Sequence, residues 1–251
     1  MRVEKYSASG NDFVIFDSDT NEDRSELAKE LCHRQNGVGA DGLVVIVPHK
    51  DYDFAWEFYN SDGSHADMCG NASRATAHYA YHHKLASESM SFLTGAGVIN
   101  ATIIDGNNRR GSVLSELTPP NILEKEIIFN GKSWWKINTG VPHLVNLTNN
   151  INEFNIDELR ELRYKYNANV NIAFVDENKN MKVRTYERGV EDETLACGTG
   201  MAACYYRALQ ENLVEGNIEV YPKSGETLYL GMNEKTITFQ GEVKNTFSAE
   251  L

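Results

Sequence analysis

Two cysteines in this chain stand where a thiol can do chemistry, Cys69 in Cys69-Gly70-Asn71-Ala72 and Cys197 in Cys197-Gly198-Thr199-Gly200. Each opens a run of small residues that reads as a helix, so each sits at a predicted helix N-terminus. Unpaired backbone N–H groups and the positive end of the macrodipole favour an anion there and lower a thiol pKa toward neutrality. The same helix ends offer the N–H groups of Gly70, Asn71, Gly198 and Thr199 to a carboxylate. Two thiols that approach one carbon from opposite sides of a cleft can remove a proton from one face and deliver another to the opposite face. That is stereoinversion, with the developing enediolate held by helix-end amides in a dry site. Such a step requires no electron-sink cofactor, and no lysine stands in a recognisable pyridoxal context, so no cofactor is expected.

Other chemistry-bearing residues read more plainly. Cys204 lies on the face of Cys197 but about 10 Å along the helix, and is expected to be a small buried hydrophobe. Cys32 has no counterpart in the second half and reads as structural. Four cysteines in 251 residues are too sparse for a disulfide scaffold. His78 and His82, beside His83, lack the glutamate of an H-E-x-x-H zinc helix; they are expected to form a polar helix end, with no metal. Gly37-Val38-Gly39-Ala40-Asp41-Gly42 fits G-x-G-x-x-G, but a helix precedes it and a strand follows. That order is the reverse of a dinucleotide site, so a tight turn is expected. Asp62 and Glu191-Asp192-Glu193 read as solvated acidic loops, with Glu193 placed to favour a positive helix end.

Before Arg110 the chain alternates Phe13–Asp17 extended, Ser25–Arg34 helical, Gly42–Pro48 and Phe54–Tyr59 extended, then a helix from Cys69 to about Leu85. Gly111–Asn121, with Pro119 and Pro120, breaks the periodicity and reads as a linker. Beyond it come strands at Trp134–Ile137 and Leu144–Leu147, a helix at Ile156–Tyr164, and strands at Asn171–Val175 and Lys182–Tyr186. A helix from Cys197, apolar nearly all round, must be enclosed by other structure. Strands at Ile218–Tyr221, Thr227–Leu230, Thr236–Phe239 and Val243–Phe247 close the chain. The halves look like copies. Each Cys-Gly is followed 28 positions later by a turn glycine, Gly97 or Gly225, and Gly10 and Gly140 precede the cysteines by 59 and 57 residues. Two pseudo-symmetric α/β domains are expected.

A hydrophobic fraction of 41% and a charged fraction of 24% describe a globular chain. Net charge of -12 repels a phosphate backbone, so nucleic acid is not an expected partner. No apolar run reaches the roughly 18 residues of a membrane span. Charges at Arg2, Glu4 and Lys5 interrupt any signal-peptide core, and a cytoplasmic location is expected.

Taken with Ser9-Gly10-Asn11-Asp12-Phe13, Gly37-Val38-Gly39-Ala40-Asp41, Asn60-Ser61-Asp62-Gly63, Pro142-His143, Val170-Asn171 and Glu187-Arg188-Gly189, the two cysteine motifs resemble diaminopimelate epimerase along essentially the whole chain. The resemblance implies an α/β (α+β) fold of two pseudo-symmetric domains, each a strand barrel or curved sheet around a central helix, with the last strand returning to the first domain. Residues 1–114 with 243–251 would carry Cys69, residues 115–242 would carry Cys197, and the site would lie in the cleft between them. It implies a cofactor-independent homodimer that interconverts LL- and meso-2,6-diaminopimelate for lysine and peptidoglycan precursors. Cys69 and Cys197 would exchange the roles of base and acid, and Asn11, Asn60, Asn171, Glu187 and Arg188 would hold the substrate, with Arg188 forked onto the distal carboxylate. His143 and Glu187 would orient or deprotonate the thiols. Rival readings are a proline racemase-like enzyme, for which His rather than Asn71 is expected after Cys-Gly, and a cysteine hydrolase pairing one thiol with His143, which leaves the other cysteine idle. A third, a non-catalytic amino-acid-binding module, does not account for paired reactive thiols.

Overall fold

The computed structural model describes residues 1–251, which divide into two compact units, Met1–Glu116 with Gln240–Leu251, and Leu117–Phe239. In the first unit the order is β1 Arg2–Ala8, β2 Asn11–Asp17, α1 Ser25–Cys32, β3 Gly42–Val47, β4 Phe54–Asn60, α2 Gly70–His82, β5 Ser89–Thr94, β6 Gly97–Asn107 and β7 Arg110–Glu116. The chain returns to this unit in the last part of a long strand, Thr236–Glu250, which is β16 in chain order. Strands β1 to β7 pair in sequence, and β16 bonds to both β7 and β1, so eight strands close into a barrel without a free edge. Helix α2 is its axis: all residues from Gly70 to Ala80 are buried, and Ala72, Ala75, Ala77 and Ala80 let the strands come close.

The second unit repeats the order of strands and helices in a sheet that ends at β8 instead of closing. Its elements are β8 Asn121–Phe129, β9 Lys132–Asn138, β10 Pro142–Leu147, α3 Ile156–Tyr166, β11 Asn169–Val175, β12 Met181–Glu187, a two-residue β13 Asp192–Glu193, α4 Gly198–Gln210, β14 Ile218–Tyr221, β15 Leu228–Asn233 and the start of β16. Parallel pairs fall at matching places, β2 with β3 and β10 with β11, then β4 with β5 and β12 with β14. A helix crosses over in each case, as a parallel pair requires. Helix α4 packs against β9, β10, β11 and β12 with Met201 to Tyr205 fully buried. The mixed α/β architecture expected from sequence is what the chain adopts.

Several details differ from the sequence reading. Gly111–Asn121 is mostly strand: β7 runs to Glu116, only residues 117–120 lie outside strands, and the units change over at Glu116/Leu117 and Phe239/Gln240 rather than at 114/115 and 242/243. Gly111 is a glycine because a Cβ there would come within 2.8 Å of the His78 ring. The helix expected to reach Leu85 stops at His82, where Lys84 takes a left-handed φ of 61°. Thr236–Phe239 and Val243–Phe247 are one strand of 15 residues. Strand β1 hides its period because both of its faces are covered, so Glu4 and Lys5, on opposite faces, are both buried; His83, Asn245 and Ser248 bond Glu4, and Asp12 pairs with Lys5.

The acidic run at 191–193 is not simply solvated, and Glu193 does not serve a helix end. Its carboxylate takes Arg184 in a fork at 2.6 and 2.9 Å and Lys223 at 2.7 Å, while Glu191 holds Arg163 at 2.7 Å.

Candidate active site

Helix α3 shows how a helix start is ordinarily finished here: the Asn155 side chain accepts from the N–H groups of Asp157 and Glu158. Helices α2 and α4 are started differently. Cys69 and Cys197 occupy their N-cap positions in extended backbone, φ -149° and ψ 120° against φ -127° and ψ 106°. Neither helix start has a side-chain cap bond from its N-cap residue and neither first turn carries an acidic residue; a helix N-terminus of that kind favours an anion. Cys69 is half-buried and Cys197 is buried. Two matching glycines at positive φ, Gly10 at 85° and Gly140 at 117°, lead into β2 and β10, the strands that face these helix starts.

Around Cys197 the second unit builds a buried polar chain. Thr199 Oγ1 lies 3.6 Å from Cys197 Sγ and 3.0 Å from His143 Nε2. His143 Nδ1 faces Asn171 Nδ2 at 3.2 Å; that amide also donates to the Leu144 carbonyl at 3.0 Å and accepts from the Thr185 hydroxyl at 2.8 Å. His143, on β10, is fully buried, and burial, with Arg188 nearby adding positive charge, pushes its pKa down to about 3, so the ring is neutral. Asn171, expected to touch substrate, is wholly buried, and its amide is engaged by protein groups in this structure. Glu187 ends β12 and Arg188 follows it, half-buried, with its N–H on Asn169 Oδ1 at 2.8 Å and its guanidinium reaching Asn167 at 3.3 and 3.4 Å.

Around Cys69 the first unit uses amides instead. Asn71 donates to Asn11 Oδ1 at 2.8 Å, and Asn11 donates to Asp41 at 3.0 Å. Arg74, buried inside α2, holds Asn71 Oδ1 at 3.0 Å and Ser9 Oγ at 2.6 Å. Asp41 is itself gripped by Arg34 at 2.7 Å. Asn60 is exposed at the end of β4 and donates to Ser64 at 3.0 Å. Cys69, Gly70, Asn71, Asn11 and Asn60 thus share the first unit, and Cys197, Gly198, Thr199, His143, Asn171, Glu187 and Arg188 the second.

Sequence reasoning passed over Thr185, Ser9 and Arg74. A charged residue inside a helix of small apolar residues was a signal for Arg74; Thr185, in a β-strand of ordinary alternation, gave none. The remaining reactive side chains are structural. Burial drives Cys204 well above the ordinary thiol range and Cys32 up to about 12. His78 does not lie at a polar helix end. It is fully buried, donates from Nε2 to the Asn107 carbonyl at 3.0 Å and accepts the Tyr6 hydroxyl at 3.1 Å; burial pushes its pKa down to about 4.

The family model for diaminopimelate epimerase matches residues 3–123 and 135–244. A diaminopimelate epimerase of a Nitratiruptor species is 56% identical over 247 residues, which cover 98% of this chain and 97% of the relative. One of Campylobacter lari is 52% identical over 250 residues, covering 100% and 98%. Among solved structures, a probable proline racemase from Agrobacterium radiobacter K84 superposes with a TM-score of 0.77 at 13% identity, covering 100% of this chain and 92% of that one. A phenazine biosynthesis protein of the PhzF family from Bacillus anthracis gives 0.73 at 18%, covering 100% and 98%; at such identities the likeness is one of fold.

Proposed function

The chain belongs to the diaminopimelate epimerase family, an isomerase family, and from that premise we propose that it interconverts LL- and meso-2,6-diaminopimelate with Cys69 and Cys197 as the two proton carriers. The observation that carries this reading is the matched pair of uncapped helix starts with a cysteine in each N-cap position. One cysteine, as thiolate, takes the α-proton and becomes a thiol; the C–H electron pair moves into the adjoining carboxylate as an enediolate. The other thiol then gives its proton to the opposite face and is left as thiolate. In the reverse direction the roles exchange.

In this reading the N–H groups of Gly70, Asn71, Gly198 and Thr199 hold the carboxylate next to the reacting carbon, where charge develops. Arg188 clamps the distal carboxylate, and Glu187, Asn11 and Asn60 position the polar ends. His143 tunes Cys197 through Thr199, in keeping with its place in the polar chain. The step uses protein groups alone, and the setting proposed is the cytoplasm, with lysine and peptidoglycan precursors downstream. No helix is long and apolar enough to cross a membrane. A homodimer is the proposed assembly, to be read by sedimentation velocity.

The test is proton NMR of LL-diaminopimelate with the protein in deuterated water, without added pyridoxal phosphate or metal. The reading requires loss of the α-proton signal together with appearance of the meso isomer. Cleavage of the substrate, or activity abolished by a chelator, would overturn it.

A further inference from the structure

We infer that the buried Asn171–Thr185 pair fixes the tautomer of His143 and thereby aims the Thr199 hydroxyl proton at Cys197, which makes Asn171 and Thr185 positioning residues for that sulfur. This rests on the proposed role of Cys197 as a proton carrier.

The argument begins at the end of the chain remote from sulfur. Leu144 carbonyl oxygen, 3.0 Å from Asn171 Nδ2, can only accept, so the amide nitrogen must face it. The amide oxygen is then left for the Thr185 hydroxyl at 2.8 Å. With the amide so fixed, its nitrogen presents a hydrogen to His143 Nδ1 at 3.2 Å, and Nδ1 must carry a lone pair. A neutral imidazole with an unprotonated Nδ1 has its proton on Nε2, which donates to Thr199 Oγ1 at 3.0 Å. Thr199 has then filled an acceptor site and keeps its own hydrogen for Cys197 Sγ at 3.6 Å. In the other tautomer Nε2 would need that hydrogen, and Cys197 would lose the donor.

The packing is built to hold this direction. Asn171, His143 and Thr185 are buried, at 0%, 0% and 3% exposed. Gly200 makes the room, since a Cβ there would meet Asn171 Oδ1 at 2.3 Å and Thr185 Oγ1 at 3.2 Å. The titratable and charged groups that face the relay are Cys197 at its end, from the start of α4, and Arg188, from the end of β12, whose positive charge opposes protonation of His143. A neutral ring with one defined donor is what the relay needs.

Two measurements test it without turnover, so they can fail while epimerase activity stands, and activity can fail while they hold. In unmutated protein labelled with ¹⁵N-histidine, long-range ¹H–¹⁵N correlation should show His143 neutral with its proton on Nε2 between pH 5 and 9. A proton on Nδ1, or an imidazolium in that range, overturns the inference. The second reads the rate of iodoacetamide alkylation against pH at Cys197, by peptide mass spectrometry, with Cys69 in the same molecule as reference. Loss of one charge-assisted bond in Thr199→Val should raise the Cys197 midpoint by about one pH unit while Thr199→Ser restores it. Gly200→Ala, which displaces the amide, should move it the same way. A Cys197 midpoint unmoved in Thr199→Val, with Cys69 titrating as in the unmutated protein, overturns the inference.

Discussion

Helices α2 and α4 begin alike, with a cysteine in extended backbone and no side-chain cap, yet the residue two positions on meets a different partner in each unit. Asn71 reaches Asn11 on β2, within a network of amides, Asp41 and Arg74. Thr199 reaches His143 on β10, and through it a buried amide. Phe13 stands at the offset from Gly10 that His143 has from Gly140, so the imidazole belongs to one copy only. The difference shows what the repeated scaffold supplies and what it leaves open. Backbone position of the sulfur comes from the sheet-and-helix plan that both units share, whereas the hydrogen-bond setting of each sulfur comes from single side chains free to diverge. The proposed mechanism asks each thiol to serve as base in one direction and as acid in the other, and separate tuning of each is compatible with that.

The comparison breaks most readily at the sulfurs. Cys69→Ala and Cys197→Ala should each lower kcat for epimerisation by about 10²–10⁴-fold or more, since in the proposed mechanism each removes one proton carrier. A variant that keeps half of the unmutated rate would show that its helix start is not part of the chemistry.

Next in size is Arg188→Lys. A forked pair reduced to a point charge should lower kcat/KM by about 10–150-fold, equivalent to roughly 1.5–3 kcal/mol. Steady-state kinetics with LL-diaminopimelate decide it, and an unchanged kcat/KM removes Arg188 from the site.

Stability against acid compares the units through their buried histidines. His78 in the first unit and His143 in the second have folded-state pKa values of about 4 and about 3, below the ordinary 6.5. Between those values the unfolded chain binds more protons, so the stabilisation is present above about pH 6.5 and is lost as pH falls toward 4. Each histidine should contribute a slope of about 1.4 kcal/mol per pH unit in that window. Urea unfolding of His78→Gln and His143→Gln at pH 7 and 5 should show the slope reduced in each; a slope unchanged in both would mean that neither ring is held neutral.

The smallest effect separates ordinary caps from the cysteine caps. Asn155→Ala should cost about 1 kcal/mol because it removes two accepted N–H bonds from α3. Cys69→Ala, which removes no cap bond, should cost less than about 0.5 kcal/mol in the same denaturation assay. Equal costs would mean that Cys69 is present for the helix rather than for the reaction.

Much of this was legible in the sequence where a feature has a fixed local signature. The Cys-Gly starts, the small-residue helices and the glycines at recurring offsets reflect backbone requirements that one residue type meets, and they revealed the repeat. Strand β1 was not legible, because two adjacent charged residues, Glu4 and Lys5, are both buried: the partners of Glu4 lie far along the chain at His83 and Asn245, and Lys5 is satisfied by Asp12 on the neighbouring strand. His78 failed for a related reason: its partners, Tyr6 and Asn107, are 72 and 29 residues away. In the site, motif membership picked out His143 and Asn171, but their bonds to each other and to Thr185 and Thr199 depend on strand register, which short motifs do not encode.

That the two helix starts serve one carbon is the claim on which the rest depends. If both sulfurs reach within about 3–3.5 Å of the same carbon or its proton, as the proposed mechanism requires, they are within reach of each other when substrate is absent. Peroxide can then oxidise one thiolate to a sulfenic acid, which the other attacks with loss of water to give a disulfide. Peptide mapping after mild peroxide treatment is the direct measurement. The account predicts a Cys69–Cys197 bond with loss of epimerase activity, both reversed by dithiothreitol. A bridge between Cys197 and Cys204, or no bridge with full activity, would contradict it.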